Sequence, residues 1–246
     1  MNNIIIPIII STIAGLSTVL GSLVILFKIK KYNKFITFCL SFSASVMIGI
    51  SILDLIPESY FNIINNYGLL KTNILLIIVF IICFFLIKYI DKLTNNTNDL
   101  YKLGILNMIV LILHNIPEGI LTFVSSYHDI ALGIKLSIAI MLHNIPEGIS
   151  IAVPIYYSTN SFKKAFKAVL ISGLSEPLGA IIAFVFLKNY INEVLISFIL
   201  IIVAFLMITL SIEEILPKSI KYKEHNMLLL GFITGIILVI INIFFF

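Results

Sequence analysis

Eight apolar runs follow one another along the chain, near residues 4–27, 35–58, 72–90, 101–124, 130–156, 164–187, 191–217 and 226–246. Each is about as long as a helix needs to cross a bilayer, roughly 20 residues. Each is also continuously apolar, without the alternation that marks a barrel strand. The pattern predicts an all-α polytopic membrane protein with eight transmembrane helices in a single transmembrane domain. The connections are short, and the longest polar one is DKLTNNTNDL at 91–100.

Composition strengthens this reading. Hydrophobic residues make up 60% of the chain and charged residues only 11%, where a soluble domain carries about a quarter charged residues. The first run follows MNN directly, without a basic leader region, so no cleaved signal peptide is expected. Cys39 and Cys83 fall inside apolar runs, where a thiol packs as a small hydrophobe, and no disulfide framework is implied.

Charge adds orientation. The 16 basic residues are all lysine, and only Lys71, Lys135 and Lys188 flank the even-to-odd connections. The other thirteen flank the odd-to-even ones, which puts those in the cytoplasm and both termini outside. The formal charge of +4 is therefore a topology signal, and no nucleic-acid partner is expected. The bias toward Lys, Ile and Asn suggests an AT-rich bacterial genome, hence the inner (cell) membrane.

Within this apolar frame, LHNIPEGI occurs at 113–120 and again at 142–149. An ionisable group at mid-bilayer costs at least ~3 kcal/mol, so each needs a partner or a task. His114, His143 and Glu176 lie about a dozen residues into their own runs, as does Met47, which places all four near the midplane. His114 and Glu118 are one helical turn apart, as are His143 and Glu147, while Asn115 and Asn144 lie on overlapping faces. The fourth and fifth segments run antiparallel, so the two motifs meet head to tail as a cage for two neighbouring cations.

Pro117 and Pro146 leave carbonyls of Leu113 and Leu142 without a helical donor. Gly119 and Gly148 permit close helix approach. The donor set of imidazole, carboxylate and amide, with the Met47 thioether at the same depth, suits Zn, Fe, Mn, Co or Cd better than Ca or Mg. Glu118, Glu147, Glu176 and Asp54 balance two dications. These ions are expected as bound ligands, with no prosthetic cofactor.

These stretches, together with SGLSEPLGA at 172–180, ILDLIPES at 52–59 and SIEEILP at 211–217, resemble the ZIP (Zrt/Irt-like protein) family of divalent metal transporters, and within it the bacterial zinc-uptake, ZupT-like branch. The resemblance spans essentially the whole chain. It implies a midplane binuclear site of His114, Asn115, Glu118, His143, Asn144, Glu147 and Glu176, with Met47 nearby and Asp54 on the outer side of the pathway. It also implies uptake into the cytosol. The His-rich third connection common in the family is replaced here by TNNTND, so no metal-trapping loop is expected there.

LDLIPES at 53–59 and EEILPKS at 213–219 echo each other when Pro57 is aligned with Pro217. By the lysine count they end helices on opposite sides, which suggests inverted repeats in a 3+2+3 plan around helices 4 and 5. Glu213 and Glu214 then become exit-pathway candidates. GFITG at 231–235 reads as small-residue packing, including between the subunits of a homodimer.

Two other functions fit an intramembrane metal site: a metal-dependent hydrolase and a non-transporting metal sensor. A hydrolase of the HExxH type needs a Glu directly after the first His as base, and an open metal position. Asn115 and Asn144 hold that place here, which favours carriage of metal by alternating access.

Overall fold

The computed structural model describes residues 2–27, 31–94, 98–187 and 192–245. It has eight helices long and apolar enough to cross a membrane: α1 Ile4–Leu26, α2 Tyr32–Tyr67, α3 Leu69–Leu93, α4 Asp99–His128, α5 Ile130–Thr159, α6 Phe162–Phe186, α7 Val194–Ile220 and α8 His225–Phe245. The chain is thus an all-α, multi-pass membrane protein. Lys28, Lys30 and Lys188, which enter the lysine count, lie outside the described residues, as do residues 95–97 of the TNNTND connection.

Helix ends follow local chemistry. Asp129 alone separates α4 from α5, and its carboxylate accepts from the N–H groups of Ala131 and Leu132, which caps α5 and turns the chain back on itself. Asn98, Ser161 and Asn192 cap α4, α6 and α7 in the same way.

The second helix corrects an expectation. It was expected to stop at 58, but it runs on to Tyr67 before Gly68 reverses the chain with φ 80°. The added SYFNIINNY stretch is amphipathic, with Ser59 and Ile63 buried, so its polar face hid the continuation from a purely apolar count. Asp54 consequently sits inside a helix rather than at its end.

The packing obeys a pseudo-two-fold. α1 packs on α5, and α6 packs on α4; α8 lies along α2, and α3 lies along α7; α2 reaches α5, and α7 reaches α4. Exchanging helices 1–3 with 6–8 and α4 with α5 maps this pattern onto itself, as inverted repeats require. The local backbone agrees: Ser51–Leu55 in α2 and Ser211–Ile215 in α7 are both π-helical turns, each followed by proline at the second position of the next α-turn. The echo is therefore longer than LDLIPES and EEILPKS. At the same register, Met47 matches Met207 and Ser51 matches Ser211, and both methionines are buried.

GFITG packs as small-residue packing should, but within the chain. A Cβ on Gly231 would meet the Ser41 hydroxyl and the Phe38 carbonyl, and one on Gly235 would meet Ser45 and the Phe42 carbonyl. The motif is therefore spent on the α8–α2 contact, and the expectation that it serves a homodimer is not carried by these glycines. Gly235→Val is expected to lower stability by about 1–3 kcal/mol through overpacking, read as a lower melting temperature in detergent.

The main apolar cluster is built from Ile36, Leu40, Leu103, Leu106, Ile155 and their neighbours. It fills the half of the bundle that ends in the lysine-rich connections. At the opposite end two cavities, of about 370 and 300 Å³, share Glu58, Leu132 and Leu136. Smaller cavities, of about 270 and 170 Å³, lie beside Phe84 and Glu213 and beside Lys31 and Glu224, toward the lysine-rich end.

Candidate metal centre

The doubled motif meets where α4 and α5 cross. Both helices continue through Pro117 and Pro146 without a break, so each His and its Glu keep their one-turn spacing. Gly119 lets α6 approach so closely that a Cβ there would collide with the carbonyl of Glu176, and Gly179 of α6 meets the Ile116 carbonyl in return. Gly148 does the same for α1, against the Thr18 carbonyl. Two further helices, α1 and α6, are thereby drawn onto the motif, and α6 is interrupted at Leu174, two residues before Glu176.

The side chains converge. Nε2 of His114 lies 3.1 Å from Oε1 of Glu118 and 3.1 Å from Oε1 of Glu147. Nε2 of His143 lies 2.9 Å from the same Glu118 oxygen. A single carboxylate oxygen thus joins the two imidazoles, whose centroids are 6.4 Å apart. Ligand atoms of His114, His143 and Glu147 all lie within 4.8 Å of one another. Donors about 2.0–2.2 Å from a tetrahedral zinc-sized ion are themselves roughly 3.4 Å apart, close to these N–O separations.

The amides and the third carboxylate are tied in beside them. Asn115 Nδ2 donates to the Ser172 carbonyl at 3.0 Å, which joins α4 to α6. Asn144 Nδ2 donates to the Ala14 carbonyl of α1 and to Oε2 of Glu176, both at 3.0 Å. Glu147 and Glu176 are fully buried and Glu118 is 3% exposed. Among the described residues, Glu118 Oε2, Glu147 Oε2, Glu176 Oε1, Asn115 Oδ1 and Asn144 Oδ1 make no hydrogen bond. An unpaired buried acceptor costs about 1–3 kcal/mol, and five in one cluster amount to an array of acceptors that a cation would satisfy. Glu118 and Glu147 surround the histidines, and Asn144 and Glu176 form an adjoining oxygen-rich pair.

The remaining expected residues stand apart from this cluster. Met47 is fully buried in the main apolar cluster, one turn from Ser43, whose hydroxyl donates to the Pro146 carbonyl at 2.6 Å. It therefore lies on the α2 face turned toward α5. Asp54 is exposed and lines the 300 Å³ cavity with Glu58, Lys135 and Asn242. Glu213 and Glu214 pair with Lys88 of α3, at 2.7 and 3.7 Å. Ser43 and Asn242 were missed by the sequence reading; a lone Ser or Asn in an apolar run reads as filler, and only the packing shows which carbonyl it meets. Asn242 Nδ2 donates to the Ala139 carbonyl, which pins α8 to α5 beside the cavity.

A membrane bundle with a buried cage of imidazoles, carboxylates and amides has the donor set of a candidate cation site. The sequence model of the ZIP Zinc transporter family matches residues 94–242. The zinc transporter ZupT of Oceanobacillus iheyensis is 36% identical over 99% of this chain and 98% of its own length. Those of Clostridium perfringens and Streptococcus mutans are 33% and 35% identical, over 100% and 97% of this chain and 98% and 96% of their own. The chain belongs to the ZIP family, a family of transporters rather than enzymes.

Proposed function

We propose that this protein carries zinc across the cell membrane into the cytosol by alternating access, through a binuclear site formed by His114, Asn115, Glu118, His143, Asn144, Glu147 and Glu176. The observation that carries this reading is the shared Glu118 oxygen between the two histidines, set beside five buried oxygens without partners among the described residues. Asp54 receives the ion in the far-end cavity, where Glu58 adds a second carboxylate. The ion sheds water in the cage and leaves past Glu213 and Glu214 toward the lysine-rich, cytoplasmic end, with both termini outside. Iron, manganese, cobalt and cadmium have the same ligand preferences and are competing substrates.

The cavity lined by Asp54 and Glu58 suits an entry on the far side, and the apolar cluster supplies a barrier below the cage. A hydrolase reading gains nothing from the asparagines, whose amide nitrogens are committed to carbonyls of neighbouring helices.

Zinc titration of the detergent-purified chain is expected to saturate at two ions per chain. Affinity is expected to weaken on acidification, because imidazole and carboxylate must release protons to ligate. Saturation at one ion would contradict the binuclear site.

A further inference from the structure

Asn107 is the outlier of the buried polar residues. It lies in α4, seven residues before His114, and is fully buried. Seven and eleven residues are close to whole numbers of turns, so Asn107, His114 and Glu118 share one stripe of the helix, with Asn107 about 10 Å toward the lysine-rich end. The residues around it on α4, Leu103, Leu106, Val110 and Leu111, belong to the main apolar cluster. An amide is a costly choice there.

Half of it has a structural explanation. Asn107 Nδ2 donates to the Ser150 carbonyl of α5 at 2.8 Å. The helical donor for that carbonyl would be the N–H of residue 154, which is Pro154, inside α5. The amide nitrogen replaces the missing N–H. The oxygen has no such explanation: among the described residues Asn107 Oδ1 makes no hydrogen bond. Asn115 and Asn144 are built the same way, with Nδ2 fixed to a carbonyl of a neighbouring helix and Oδ1 buried and free. Those two are the amides of the cage.

We propose that Asn107 Oδ1 is a third amide ligand for the transported cation, met on the lysine-rich side of the cage when that half of the bundle opens. The bond to Ser150 aims the amide, and the ion takes the oxygen as a step between the cage and Glu214. The inference rests on the carrier reading. It adds a binding position outside both copies of the motif.

The test separates ligation from capping. Pro154→Ala returns an N–H to the Ser150 carbonyl, so Asn107 is no longer needed there. Zinc and cadmium uptake by the full chain in proteoliposomes is compared for wild type, Pro154→Ala, Asn107→Leu/Pro154→Ala and Asn107→Cys/Pro154→Ala. Relative to Pro154→Ala, the leucine variant is expected to lose about tenfold in uptake of both ions. The cysteine variant is expected to raise the cadmium-to-zinc ratio several-fold over the leucine variant, because thiolate favours the softer ion. Uptake at the Pro154→Ala rate in the leucine variant would overturn the proposal and leave Asn107 as a cap. So would a cadmium-to-zinc ratio equal in the cysteine and leucine variants. Absence of uptake by wild type would overturn the carrier reading and this inference together.

Discussion

Glu118→Ala is expected to weaken zinc binding by at least about 100-fold and to reduce uptake to background. Its Oε1 lies 3.1 Å from His114 Nε2 and 2.9 Å from His143 Nε2, and its Oε2 has no partner among the described residues. Removing it takes away the carboxylate that touches both imidazoles. The other buried carboxylates are placed differently: Glu147 lies 3.1 Å from His114 and within 4.8 Å of a His143 ring nitrogen, and Glu176 is held by Asn144. Outer-shell partners of a metal site already cost 10–100-fold when lost, and a shared ligand stands above that range. Glu118→Gln keeps the shape and one oxygen, so it should fold as the wild type does and still bind weakly. Isothermal titration with zinc reads both variants. Wild-type affinity in Glu118→Ala would mean that the carboxylate only keeps the histidines company.

Gly119→Val is expected to have an effect of similar size through a different route. The carbonyl of Glu176 occupies the space where a side chain at 119 would go, and Gly179 is pressed against Ile116 from the other side. Backbone meets backbone at this crossing, so no side chain can swing away to make room. The helices must separate, at about 3 kcal/mol or more, and Glu176 moves off with α6. The variant should show a lower melting temperature and lose high-affinity zinc binding, with Gly119→Ala intermediate in both. A valine variant that melts and binds as the wild type does would show that α4 and α6 have slack at this point.

The site was largely legible before the fold, and the reason is physical. Lipid makes every ionisable residue conspicuous, so the doubled HNIPEG stood out against apolar sequence, and one-turn spacing put His114 with Glu118, while His143 and Glu147 find their partners across the helix crossing. Proline did not blur this, because α4 and α5 pass through Pro117 and Pro146 with their register intact. Eight spans and the inverted plan could be read for the same reason. What escaped was set by neighbours. The single oxygen shared by His114 and His143 depends on how two helices cross, which no spacing within one helix specifies. The polar extension of α2 to Tyr67 carries too little hydropathy to announce itself. The π-turns at Ser51–Leu55 and Ser211–Ile215 extended a seven-residue echo back to Met47 and Met207. A π-turn has no composition of its own, so only the backbone could reveal that the two stretches match. GFITG gave its packing character but not its partner, since two glycines one turn apart suit any close helix.

Uptake of radioactive zinc into proteoliposomes by the wild type and by His143→Ala/Glu147→Ala tests the central claim most directly. Saturable uptake by the wild type and background uptake by the variant are the predicted results. Equal uptake in both, with the variant folded, would contradict carriage of zinc through the doubled motif.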